Sequence, residues 1–174
     1  PQTGFLTLGS FEPRKGQDIL AKAIRKLDAA TRGRCRFKMA GRVLDERFYS
    51  ELQSAVGEFP EVRLINALGH SDALQLLNEA DVLVLPSRDE TMPIAILEAM
   101  GLGKAVISAD VGGVSEWLHD GMNSLVVEKE NPDALAEALD LVAALRLEKP
   151  QVHADRMDGQ GARRQPDPAV EEAA

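Results

Sequence analysis

Short apolar runs alternate along this chain with longer amphipathic ones, and the alternation predicts a repeated strand–helix unit. Phe5 to Leu8 reads as an apolar strand, and Asp18 opens a helical stretch with Leu20, Ala23, Ile24 and Leu27 on one face. Arg36 to Ala40 is a second strand, followed by a helix from Asp45 to about Val56 that carries Phe48, Leu52 and Val56 inward. Val62 to Ile65 is a third strand, and Ser71 is the expected N-cap of a helix bearing Leu74, Leu77 and Ala80. Val82–Leu85, Ala105–Ser108 and Leu125–Val127 complete the strands, and Pro132 starts a helix aligning Leu135, Leu139 and Val142. The pattern predicts one α/β domain, an open, mostly parallel Rossmann-like sheet of about six strands with helices on both faces. In such sheets the ligand crevice lies at the C-terminal ends of the strands.

The most informative stretch is VLVLPSRDETMPIAILEAMGLG, residues 82–103. Four apolar residues stopped by Pro86 read as a strand buried on both faces. A polar loop follows, and Pro93 suits a first helical turn, where its missing N–H has no partner to lose. From Ile94 to Leu102 the one charged residue is Glu98, so the helix is apolar nearly all round and carries a single carboxylate. A buried carboxylate must shift its pKa, find a partner or face a polar ligand. Glu90 and Glu98 are eight positions apart, which on one helix axis is roughly 12 Å.

Composition narrows the function. A formal net charge of −8 argues against a general nucleic-acid binder, whose affinity comes largely from phosphate attraction. The basic stretch RGRCRFK at 32–38 reads as the solvated entry to a strand. Cys35 is the only cysteine, so no internal disulfide forms, as in a reducing compartment. No run reaches the ~18 apolar residues of a spanning helix. These features point to a cytoplasmic protein, peripheral to a membrane at most. The chain enters a strand at Phe5 without a starting Met, as a piece of something longer would. From Leu147 onward periodicity is lost and Asp, Arg, Gln, Pro and Gly dominate, so 147–174 is expected to be a disordered tail beyond a domain at 1–146.

Several strand-to-helix loops carry groups suited to a ligand. In GSFEPRKG a cation, Lys15, and a flexible backbone at Gly16 precede a helix N-terminus, a combination that favours an anion such as a diphosphate. Gly41 follows the second strand, and Gly112-Gly113 the fifth, where the pair serves either as a plain turn or as a close approach to a ligand or another domain. His70 has no second histidine or matched carboxylate beside it in sequence and reads as a loop-packing residue.

E-x7-E behind a buried strand and Pro-Ser, followed by EAMGLGKAVISADVGGVSE, resembles the C-terminal, donor-binding domain of family 4 (group 1) retaining glycosyltransferases, over about Leu6 to Leu145. The resemblance implies one half of a GT-B fold, with an N-terminal acceptor domain absent from this chain. It implies a nucleoside-diphosphate sugar as donor substrate, no metal and no further cofactor. Glu90 would then contact the donor sugar as the catalytic carboxylate, Glu98 the ribose, and Lys15 the diphosphate. Gly41 and Gly69 would approach the base, and Met92 and Ile94 complete the donor-facing set. The family's usual phosphate-binding Arg is replaced by Ser10, which leaves Arg14 as the alternative. The competing readings are a nucleotide-sugar epimerase on the same architecture and a noncatalytic α/β binding module in which both glutamates serve structure.

Overall fold

The computed structural model describes residues 2–66, 69–91 and 94–148, without the side chains of Ser115 and residues 146–148. Its centre is a six-stranded sheet in the order β3-β2-β1-β4-β5-β6, made of β1 (Thr3–Leu8), β2 (Cys35–Gly41), β3 (Val62–Asn66), β4 (Val82–Leu85), β5 (Ala105–Ala109) and β6 (Leu125–Val127). Every neighbouring pair is parallel. The helices are α1 (Gln17–Lys26), α2 (Ala29–Gly33), α3 (Glu46–Val56), α4 (His70–Glu79), α5 (Ile94–Gly101) and α6 (Pro132–Glu148).

Strand alternation divides the core into two layers. Phe5, Phe37, Met39, Val82, Val84 and Ile107 face α1, α3 and α6, where Leu20, Ile24, Leu52 and Leu139 bury against them. Phe5 and Phe37, partners in the β1–β2 register, stack with ring centroids 5.1 Å apart. Leu6, Ala40, Leu83, Leu85 and Val106 face the other way, onto Leu77 of α4 and Ile96 and Ala99 of α5. Such period-2 alternation is what lets one strand serve both layers.

The structure departs from the sequence pattern at four places. The helix expected to be capped by Ser71 begins one residue earlier, at His70, with Gly69 as N-cap and no side-chain cap bond, so Ser71 lies inside its first turn. α2 was not evident from periodicity, because five residues cannot show a 3.6-residue repeat. Asp28 forms it locally, its carboxylate accepting from the N–H groups of Ala30 and Thr31. α5 buries only the stripe of Ile96 and Ala99 and leaves Ile94 62% exposed, so this apolar helix is not buried all round. α6 runs through Leu147 and Glu148, past the expected domain end at 146. The rest of the expected tail, with Met92 and Pro93, lies outside the described residues.

From β1 the chain winds outward through β2 and β3, and from β4 it winds the other way through β5 and β6. The topological switch point is therefore between β1 and β4, the place at which open sheets of this kind bind ligands, and the loops that follow these two strands meet there.

Candidate functional site at the switch point

The loop after β1 ends in a 3-10 turn, Pro13–Lys15, capped by Gly16 in the left-handed region at φ 67°. A Cβ on Gly16 would lie 2.0 Å from the Pro86 carbonyl oxygen, so the Lys-Gly step needs glycine both for its conformation and for the approach of the β4 loop. Gln17 ties the same loop from below, its amide donating to the carbonyls of Ser10 and Gly9. The Lys15 stem lies over Gly9.

Lys15 and Glu90 meet across the switch point. Lys15 Nζ is 2.7 Å from Glu90 Oε1, and the same oxygen accepts from Ser87 Oγ at 2.9 Å. Their side chains are only 17% and 7% exposed. A carboxylate this secluded requires compensation by charge and hydrogen bonds, and both are supplied. Glu90 is thus set by a loop after β4 and not by the helix carrying Glu98, so the two glutamates do not share a helix axis and the helical spacing does not measure their separation. From the other side, the loop after β5 closes on Glu90. Gly112 has φ 52°, and a Cβ there would fall 1.7 Å from the Glu90 carbonyl oxygen. The Gly-Gly pair is therefore a close approach to this chain's own Glu90–Thr91 backbone.

Gly41 joins the same cluster through the backbone, since its ideal Cβ position is 2.0 Å from the Gly9 carbonyl oxygen. Gly69 and Glu98 form a second group, because His70, the first residue of α4, places Nε2 3.6 Å from Glu98 Oε1. Glu98 is 23% exposed and His70 75% exposed, so the carboxylate is neither fully buried nor without a neighbouring group. The Arg14 side chain pairs elsewhere than with Glu90. It is exposed and pairs with Glu12 at 3.4 Å, while Ser10 donates to the same Glu12 oxygen at 2.6 Å.

Sequence reasoning passed over Arg88 and Asp18. Arg88 donates from Nη1 and Nη2 to the two carboxylate oxygens of Asp18 at 2.8 and 2.9 Å, and from Nε to Glu130 Oε1 at 2.9 Å. Burial works to raise the Asp18 pKa, but the hydrogen bonds and charge of Arg88 outweigh it and hold the carboxyl below its ordinary value. The Arg88 guanidinium is raised in turn, chiefly by its bonds to Asp18. A cavity of about 420 Å³ lies beside this pair, between α1 and α3, with Phe48 and Leu52 in its lining.

The family profile described as Glycosyl transferases group 1 matches residues 2–144. The chain belongs to this family. It is 33% identical over 136 residues to the uncharacterized glycosyltransferase MJ1178 of Methanocaldococcus jannaschii, covering 77% of this chain and 36% of that protein. Among solved structures, Anabaena HepE in complex with UDP-glucose superposes with a TM-score of 0.72 at 22% identity, over 84% of this chain and 39% of HepE. The C-terminal domain of the group 1 family protein LpcC from Francisella tularensis superposes with a TM-score of 0.73 at 24% identity, over 82% of this chain and 75% of that one. At these identities the superpositions establish a shared fold, the Rossmann-like half of a GT-B glycosyltransferase. This group 1 domain spans about a third of the length of the curated relatives it matches. Among its described residues no helix is long and apolar enough to cross a membrane.

Proposed function

We propose that this domain is the donor-binding half of a retaining glycosyltransferase, taking a sugar from a nucleoside diphosphate and delivering it to an acceptor held by a separate, N-terminal domain. The observation that carries the reading is the Lys15–Glu90 pair, a cation and a carboxylate held across the switch point where open α/β sheets bind nucleotides. The presence of UDP-glucose on HepE, which has the same fold, supports a nucleotide-sugar ligand. In this reading Lys15 offsets the charge of the leaving diphosphate, and Glu90 orients the sugar hydroxyls without attacking the ring. Glu98 accepts from the ribose hydroxyls, with His70 beside it. Gly41 and Gly69 bring backbone toward the base, Met92 and Ile94 border the sugar, and Arg14 swings from Glu12 to the phosphates. The protein works on a cytoplasmic donor, at a membrane surface if its acceptor is a lipid.

One observation favours a second reading. Glu90 is already satisfied by Lys15 and Ser87, as a purely structural carboxylate would be in a noncatalytic module. Calorimetric titration of the chain with UDP-, GDP- and ADP-sugars separates the two. The donor-domain reading expects heat with at least one at millimolar ligand, and silence with all of them leaves the structural module standing. The isolated chain is expected to transfer no sugar, and turnover by it would overturn the assignment of the acceptor to another domain.

A further inference from the structure

Lys15 and Glu90 sit on different loops, and a 2.7 Å contact between long side chains on independent loops is entropically costly unless the backbones are fixed. Arg88, two positions before Glu90, supplies the fixing. Its backbone N–H donates to the Arg14 carbonyl at 2.8 Å. Its Nη1 donates to the Pro13 carbonyl at 2.5 Å, so both ends of the group reach the turn that presents Lys15. The bidentate bond to Asp18 then ties it to the first turn of α1, and the bond to Glu130 to the loop before α6. Glu130 is the one non-glycine residue with positive φ among the described residues, at 56°. Four of the five guanidinium N–H groups are thus aimed at acceptors on three segments, a geometry that a lysine ammonium cannot reproduce.

We propose that Arg88 is a positioning residue, whose planar fork joins the loop after β4 to the loop after β1 and so holds Glu90 on the Lys15 ammonium as one preset unit. Its effect on donor binding rests on the donor-domain reading above, whereas its effect on the pair does not. Arg88 itself touches neither sugar nor phosphate in this scheme. It acts through Lys15 and Glu90, which explains why the E-x7-E pattern gives no sign of it.

The pair can be read without any ligand. A lysine bound to a carboxylate acylates slowly, so Lys15 in the whole chain should react slowly with an acetylating ester, followed site by site by mass spectrometry. In Arg88→Gln its rate should rise about ten-fold, the factor for losing one hydrogen bond to a charged group. Lys26 and Lys104, on α1 and beyond α5, serve as references and should not change. Asp18→Asn, a milder loosening of the same fork, should give a smaller rise of the same kind. An unchanged Lys15 rate in both variants overturns the proposal, as does a rise shared by all three lysines, which reports general loosening. The second measurement is binding of a nucleoside diphosphate. Arg88→Gln should weaken it in the wild-type background and have no further effect in Lys15→Met, whereas an equal loss in both backgrounds means that Arg88 does not act through Lys15 and overturns the positioning role. If the wild-type chain binds no nucleoside diphosphate, the donor-domain reading fails, and the acylation rates still decide what Arg88 does to the pair.

Discussion

Replacing Glu90 by Ala removes the counter-ion of Lys15 and strands Ser87 Oγ. Breaking a buried pair from one side costs about 3–5 kcal/mol, because the surviving charge stays buried. Here the low end applies, since Lys15 keeps some accessibility and its long stem can lift the ammonium toward water. The expected loss is therefore about 3 kcal/mol, or on the order of 10 °C in Tm for a domain of this size. Lys15→Met alone should cost a similar amount for the converse reason. The double variant Lys15→Met, Glu90→Ala leaves no buried charge and should lose only about 1–2 kcal/mol, against about 6 kcal/mol for independent sites, so the two sites couple by several kcal/mol. Urea denaturation followed by circular dichroism measures all the variants on one scale. Single losses that add to within about 0.5 kcal/mol would refute the reasoning, because independent sites behave so. The same pair bears on function. Glu90→Gln releases Lys15 from its preset position, so it should weaken affinity for a plain nucleoside diphosphate, and weaken that for the corresponding nucleotide-sugar further, because the carboxylate facing the sugar hydroxyls is lost as well.

Gly112→Ala should destabilise the fold by at least about 1–2 kcal/mol, because a Cβ is disfavoured at its positive φ and would overlap the Glu90 carbonyl; Gly101→Ala, on an open helical surface, should be neutral or stabilising by about 0.5–1 kcal/mol in the same urea assay. Glu98→Gln should change stability by less than about 0.5 kcal/mol, since the group is partly exposed, yet weaken nucleotide binding by roughly 1.5–3 kcal/mol if it holds the ribose; a destabilised variant with unchanged affinity removes Glu98 from the site. Asp18 has a depressed pKa in the folded state, so its contribution is present above the unfolded value of about 4 and is lost as pH falls through the folded one. The stability gap between wild type and Asp18→Asn should accordingly be flat from neutral pH to about 5 and close at more acid pH, and a gap that widens on acidification contradicts the pairing with Arg88.

The sheet was legible because each strand carries its own signal. Val82–Leu85 is apolar at every position and proves buried on both faces, and the periodic faces of α1 and α3 bury the residues that the 3.6-residue repeat selects. What periodicity missed are features decided by one or a few local bonds. A single carboxylate makes α2. The N-terminus of α4 is set by Gly69, although Ser71 is the better capping residue by propensity. α5 departs for a different reason. Composition reports how apolar a helix is, but not how much of it neighbouring elements cover, and among the described elements only the stripe through Ile96 and Ala99 is buried.

The candidate site divides along the same line. Lys15, Gly41 and Glu90 were each legible as chemistry on a strand-to-helix loop, and topology alone brings the loops after β1, β2 and β4 to one end of the sheet. Their partnerships were not legible, because a sequence lists charges without saying which will neutralise which. Glu90 lies 75 positions from Lys15, and Arg88 lies 70 from Asp18, so no local spacing links either pair. Arg14 shows the cost of reasoning from adjacency, since it neighbours Lys15 in sequence but turns to Glu12. Glycine was the better guide to long-range structure. Gly16 and Gly112 each mark a place where one loop's backbone presses on another's, and together they bracket the segment from Pro86 to Thr91 from both sides. A loop clamped in this way holds a carboxylate in place before any ligand arrives, which is the property that an electrostatically preorganised site requires.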